Sequence, residues 1–115
     1  MSSNEAELPW EIDCKSVKEM LDTDCDFLLM DCRGQEEYNL VKIDQATLIP
    51  MDQLTSQVDQ LEPYRDKRIV VHCHLGGRSM RVAQWLRQQG FTQSQSMAGG
   101  ITAWADDIDP SLPKY

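Results

Sequence analysis

At 115 residues the chain has length for one domain around a single core. Its 41% apolar and 26% charged residues are an ordinary globular mixture, and no apolar run reaches the roughly 18 residues that a membrane-spanning helix needs. A net charge of −8 argues against non-specific nucleic-acid binding, which depends on Lys and Arg neutralising phosphates, and fits plain solubility.

Residues 1–9 are polar and acidic, with no basic or apolar stretch of the secretory kind, and read as a disordered tail before a domain over residues 10–113. Without a signal or a paired-cysteine framework, a cytoplasmic location with reduced thiols is expected. Residues 10–12 form a short strand candidate. Asp13 or Ser16 can cap the following helix, whose Val17, Met20 and Leu21 share one face, and Ser16 with Glu19 fits a capping box. Residues 27–30 are a continuous apolar run ended by Asp31, the pattern of a strand buried on both faces in a parallel sheet. Residues 33–39 are polar and predict a loop or short helix. Residues 46–49 predict a strand stopped by Pro50. Asp52 can cap a helix carrying Leu54, Val58 and Leu61, ended by Pro63.

Residues 69–72 predict the central buried strand. Cys73 follows, then a short loop with Gly76 and Gly77, then Arg78 and a helix with Val82, Ala83 and Leu86 on its core face and Gly90 beyond its end. Residues 95–97 predict a last strand, turned by Gly99 and Gly100 into a final helix with Ile101 and Trp104. Residues 109–115 read as a tail. Strands alternating with helices at this spacing predict an α/β fold with a mostly parallel sheet. Ligands of such sheets bind beyond the carboxyl ends of the strands, so residues 31–33, 73–79 and 98–101 should meet at one edge.

Cys73 at the start of this loop carries the chemistry. A loop that turns its N–H groups inward stabilises an anion, and a thiolate held there should have a pKa below the roughly 8.5 of free cysteine. Arg65, Lys67, Arg68, Arg78, Arg81 and Arg87 are expected near the site, giving it a local potential opposite to the net charge. No metal site is expected. His72, Cys73 and His74 are consecutive, and neighbours on a regular strand point to opposite faces.

Four stretches, in order, resemble the rhodanese family of sulfurtransferases. Asp31, Arg33, Glu37 and Tyr38 match one motif; Ile43, Ala46, Ile49 and Pro50 half-match the next, with Val41, Lys42 and Gln45 departing from it. Cys73, Gly76, Arg78 and Ser79 fill the active-loop pattern, and Gly99, Gly100, Ile101, Ala103 and Trp104 the last motif. The resemblance implies a three-layer α/β/α domain with a five-stranded, mostly parallel sheet. It also implies a sulfurtransferase with no cofactor. Cys73 would take the outer sulfur of thiosulfate or a persulfidated protein and pass it, as a persulfide, to a thiol or cyanide-like acceptor. Arg78 would add positive charge and dock an anionic donor. His74, Leu75, Gly76, Gly77 and Ser79 would surround the transferred sulfur, and Asp31 and Arg33 would support the loop. A monomer is expected, with no nucleic-acid or membrane partner. The loop also resembles those of ubiquitin-activating-like sulfur carriers, so a sulfur-relay or regulatory binding module acting with a protein partner is the alternative. Related phosphatases place an arginine six positions after their cysteine; here Arg78 comes five after Cys73, a cradle suited to one sulfur atom.

Other residues carry structural expectations. His72 should be a satisfied core histidine, and His74 either a loop residue that meets an anionic donor or a plain loop residue. Asp31 and Arg33 should form an ion pair, and Ser79 should cap its helix. Cys14 and Cys25 read as structural, Trp85 and Trp104 as packing residues, and Met97 and Ile101 as a pocket wall. Cys32 should share the sheet edge of Cys73, as a buried hydrophobe or as a thiol that resolves the persulfide into a disulfide.

Overall fold

The computed structural model describes residues 8–115. Five strands, β1 (Glu11–Ile12), β2 (Phe27–Asp31), β3 (Thr47–Leu48), β4 (Arg68–His72) and β5 (Ser94–Met97), form one sheet in the order β1-β5-β4-β2-β3. Every pairing is parallel. Strands of a parallel sheet need crossovers, and helices supply them on both faces. They are α1 (Cys14–Asp22), α2 (Gln35–Leu40), α3 (Leu54–Gln57), α4 (Gly77–Gln88) and α5 (Gly100–Asp107).

The two-residue period of the strands divides the core into two layers. Leu28, Met30 and Cys32 join Ile69, Val71 and Cys73 in the layer under α3 and α4, with Leu61, Val82, Leu86 and Phe91. Leu29 and Val70 point the other way, into the layer of Val17, Ile43, Met97, Ile101 and Trp104. Hence the apolar runs of β2 and β4 show no alternation in sequence: each face has its own helices to bury against.

Asp13, not Ser16, is the residue before α1, and the Ser16 hydroxyl donates to its carboxylate. The segment expected as one helix from Asp52 is instead three short turns: a 3₁₀ turn (Met51–Gln53), α3, and a 3₁₀ stretch (Val58–Tyr64) that contains Pro63. Gln53 and Gln57, with φ of −107° and −113°, break the α-helical path. Leu54 and Leu61 still reach the core. A tighter 3₁₀ winding accommodates Pro63, whose missing N–H ends a longer α-helix.

The chain beyond α5 folds back over the molecule. Leu112 packs against the α1/α5 layer, and Tyr115 reaches the loop after β4. Leu8 and Pro9 are also held, their carbonyls accepting from the Arg87 guanidinium at 2.9 Å. The expected basic cluster does not form at the Cys73 edge. Arg65 pairs with Glu62, Lys67 pairs with Asp26 at 2.6 Å, Arg68 opens β4, and Arg87 stacks on Trp10 at 3.8 Å. These four sit at the amino ends of the strands, because Arg68 and Cys73 bracket the length of β4. Among the described residues no helix is long and apolar enough to cross a membrane.

Candidate active site

The carboxyl ends of β2 and β4 and the start of α5 meet at one sheet edge. Ile101 N–H donates to the Cys73 carbonyl at 2.9 Å, and Thr102 N–H to that of His74 at 3.2 Å. The loop after β4 thus spends its first two carbonyls on α5, which leaves its N–H groups to turn inward. Gly100 makes this approach possible. Its φ is +61°, and a Cβ there would lie 2.4 Å from the His74 oxygen and 2.6 Å from that of Cys73.

Gly76, at φ +114°, aims its N–H at Cys73 Sγ, 3.0 Å away. Ser79 N–H lies 3.4 Å from the same sulfur, as does Ser79 Oγ. Ser79 does not cap α4. Gly76 precedes the helix, and Ser79 sits buried in its first turn with Oγ 2.7 Å from Ser96 Oγ on β5. With Ser96 donating, the Ser79 proton is shared between the Gly76 carbonyl, 3.2 Å away, and the Cys73 sulfur. The neighbouring Cys32 thiol is the largest of the influences that draw the Cys73 pKa below the ordinary thiol range against the cost of burial. The pair is reciprocal: the Cys73 sulfur and burial push the Cys32 thiol far up. Cys73 is therefore the thiolate and Cys32 its neutral partner. The amino end of α4 favours the same charge.

Asp31 and Arg33 form the expected pair, both fully buried, with Nη2 2.7 Å from Oδ2. Arg33 also donates to the Val41 carbonyl at 2.7 Å and to Tyr115 Oη at 3.0 Å. Its guanidinium so fixes the strand-to-α2 turn beside the site. Breaking one partner of such a pair typically costs about 3–5 kcal/mol.

Arg78 projects from the first turn of α4 and is gripped by Glu37 through two bonds of 2.7 and 2.8 Å. That grip is the main reason the Glu37 carboxyl is held down to about 2, helped by the Tyr115 hydroxyl and the Gly34 N–H. Arg78 is thus a neutralised cation at the rim. Glu37 and Arg78 line a groove of about 560 Å³ together with Cys32, Gly34, Pro50 and Met51. The groove follows from backbone pairing: Met51 N–H donates to the Cys32 carbonyl at 3.0 Å, bringing the segment after β3 to the end of β2.

Other side chains meet expectation in part. His72 is fully buried but Nε2 has no hydrogen-bond partner among the described residues; Asp31 Oδ2 is 3.7 Å away. Burial lowers its pKa, so the ring is neutral. Met97 and Ile101 are core residues of the opposite layer, not a wall of the groove. Cys25 is exposed, whereas Cys14 is buried. Trp104 is buried, and Trp85 packs against the α4 layer. His74 is half-buried under Tyr115, with ring centroids 3.9 Å apart, while Leu75 projects into solvent, 64% exposed. Tyr115 lies far along the chain from every residue it meets, and its sequence context, a proline-containing end, gives no hint of this contact. Among the described residues no three His, Cys, Asp or Glu side chains converge as a metal site.

The chain is similar to known proteins. The maize adenylyltransferase and sulfurtransferase MOCS3-1 is 32% identical over 109 residues, covering 90% of this chain and 23% of that protein's length. The probable adenylyltransferase/sulfurtransferase MoeZ of Mycobacterium tuberculosis is 30% identical over 101 residues, 88% of this chain and 26% of its own length. The chain therefore spans about a quarter of these curated relatives. A rhodanese-related protein from Thermoplasma volcanium superimposes with a TM-score of 0.77 at 25% identity, over 93% of this chain and all of that one. The human single-domain sulfurtransferase TSTD1 shares the fold, with a TM-score of 0.75 at 22% identity, over 87% of this chain and 98% of its own. The model of the rhodanese-like domain matches residues 13–107, and the chain belongs to that family.

Proposed function

We propose that this chain is a sulfurtransferase in which Cys73 carries a sulfane sulfur, as a persulfide, from thiosulfate or a protein persulfide to a thiol or cyanide acceptor. The observation that carries the reading is the environment of Cys73 Sγ: a buried sulfur faced by the Gly76 and Ser79 N–H groups, the Ser79 hydroxyl and the Cys32 thiol. A lowered pKa supplies the nucleophile at neutral pH. With thiosulfate, the Cys73 thiolate attacks the outer sulfur, the sulfur–sulfur bond of the donor breaks, and sulfite leaves with the electron pair. The extra sulfur, as a persulfide anion, remains within reach of the same fixed N–H dipoles. An acceptor thiolate or cyanide then takes the outer sulfur and restores the Cys73 thiolate, so double-displacement kinetics follow.

Arg78 enters this scheme as a charge already shared with Glu37. An anionic donor must compete with that carboxylate for the guanidinium, so thiosulfate should bind weakly. This favours the second reading, a relay in which a persulfidated protein loads Cys73. The names of the curated relatives, in which a sulfurtransferase accompanies an adenylyltransferase, support it, as does the solvent-exposed Leu75 at the loop tip.

Intact mass spectrometry after incubation with thiosulfate, beside Cys73→Ser, tests the proposal. The expected result is a gain of one sulfur, lost on adding cyanide and absent from the variant. Loading by a persulfidated cysteine desulfurase but not by thiosulfate selects the relay. No gain with either donor refutes both.

A further inference from the structure

Cys32 has no part in the transfer scheme beyond lowering the pKa of Cys73, yet it is the second thiol of the site. The register of β2 and β4 pairs Asp31 with His72, and the next step pairs Cys32 with Cys73. Cys32 N–H donates to the His72 carbonyl at 3.1 Å, so the pairing continues beyond the strands. Adjacent strands run about 4.8 Å apart, within the Cα separation of about 4.4–6.8 Å that a disulfide accepts. Both side chains point into the same core layer, each 1% exposed. The Cα separation of the pair is one that a disulfide spans. Cys32 also borders the groove beside Arg78 and Met51.

Resting on the sulfurtransferase reading, we infer that Cys32 is the resolving thiol of this site: when no acceptor comes, it discharges the Cys73 persulfide, releasing hydrosulfide and leaving a Cys32–Cys73 disulfide. The Cys32 sulfur attacks Cys73 Sγ, the bond from Sγ to the outer sulfur breaks, and that sulfur leaves with the electron pair. The proton of the Cys32 thiol passes to the leaving sulfur, which departs as hydrosulfide. Two cysteine sulfurs are oxidised to the disulfide while the sulfane sulfur is reduced to hydrosulfide, so no outside oxidant is consumed. An external dithiol then reduces the disulfide and resets the site. The domain thus has a second activity, dithiol-dependent reduction of sulfane sulfur to hydrosulfide.

The timing is built into the pair. In the empty site the Cys73 thiolate beside it is the main cause of the raised pKa of Cys32, which keeps that thiol protonated and inert. Loading turns Cys73 Sγ into a neutral, two-coordinate sulfur and moves the negative charge one atom outward, to the persulfide's terminal sulfur. Cys73 Sγ is therefore open to attack by Cys32 only when there is a persulfide to resolve.

The test loads the reduced protein anaerobically with thiosulfate and, in parallel, with cysteine persulfide. The donor is removed, and intact mass and hydrosulfide are followed without an acceptor. In the wild type the sulfur gain should give way to a species two hydrogens lighter than the reduced protein, with one hydrosulfide per chain and a Cys32–Cys73 bridge in the peptide map. Cys32→Ser and Cys32→Ala should keep the added sulfur and lose hydrosulfide release, while Cys25→Ser should behave as the wild type. A wild-type persulfide as long-lived as that of Cys32→Ser overturns this inference and leaves the transfer reading intact. So does a persulfide that maps to Cys32 without a bridge. If the Cys32 variants do not fold, the wild-type time course and its peptide map decide alone. Failure of every protein to gain sulfur from either donor overturns both readings.

Discussion

Tyr115 stacks on His74 with their planes 13° apart, and its hydroxyl donates to Glu37 at 2.7 Å. Through Glu37 this one ring is connected to Arg78, and through Arg33 to the buried Asp31. Tyr115→Phe keeps the stack and removes the hydroxyl, so stability should fall by about 0.5–1.5 kcal/mol, the ordinary worth of a hydrogen bond. Tyr115→Ala should also uncover His74. Its modification by diethyl pyrocarbonate should accelerate in the alanine variant and hardly change in the phenylalanine one.

Cys32 is the main reason that Cys73 is acidic. A pH titration of thiolate absorbance should show the Cys73 midpoint below that of an ordinary cysteine. In Cys32→Ala the midpoint should rise by about one unit or more, each unit being about 1.4 kcal/mol of lost anion stabilisation. Cys32→Ser retains an O–H donor and should move it less. A midpoint identical in all three proteins would remove Cys32 from the electrostatics of the site.

Two glycines of the site should respond in opposite ways to the same change. At Gly100 an added methyl meets the carbonyls of Cys73 and His74 in a left-handed backbone. Gly100→Ala should cost about 2–3 kcal/mol and reduce sulfur loading. At Gly77 the space for a Cβ is open and the backbone is helical. Gly77→Ala should be neutral or raise stability by up to about 1 kcal/mol, with loading retained. Denaturant unfolding and mass spectrometry on the two variants make the comparison.

His72 gives the fold a weakness toward acid. Burial lowers its folded pKa, so below the unfolded value of about 6.5 the unfolded chain takes up a proton that the folded chain refuses. Stability from this group is therefore complete above that pH and declines as pH falls through it. Neighbouring Asp31, 3.7 Å away, and Arg33 pull in opposite directions and partly cancel. His72→Leu should flatten the pH dependence of urea unfolding between about pH 6.5 and 5 relative to wild type. Because the ring leaves Nε2 unpaired, the change should cost little at neutral pH.

The strands of this sheet were largely legible because β2 and β4 are apolar on both faces and β-branched or long-chained throughout. The edge at which Cys73, Asp31 and Gly100 meet followed from topology, and the active loop from its glycines and arginine. What could not be read was pairing between distant side chains. Arg78 looks like a free cation in sequence, and only the fold brings Glu37, 41 positions away, onto it. Ser79 looks like a cap until β5 brings Ser96 to its hydroxyl. The arginines and lysine around β4 cluster in sequence, yet they fall at the strand end opposite Cys73. His72 was expected to be satisfied because buried polar groups usually are, and nothing in a local pattern announces the exception.

The loop after β4 divides its polarity: carbonyls of Cys73 and His74 turn outward to α5, and the N–H groups of Gly76 and Ser79 turn inward to the sulfur. The donors are recruited to the thiolate only because a helix almost thirty positions further on absorbs the acceptors. The inward set of these donors therefore depends on a contact outside the loop, and a chain in which α5 is locally undocked should lose the Gly76 and Ser79 contribution to the thiolate while keeping that of Cys32.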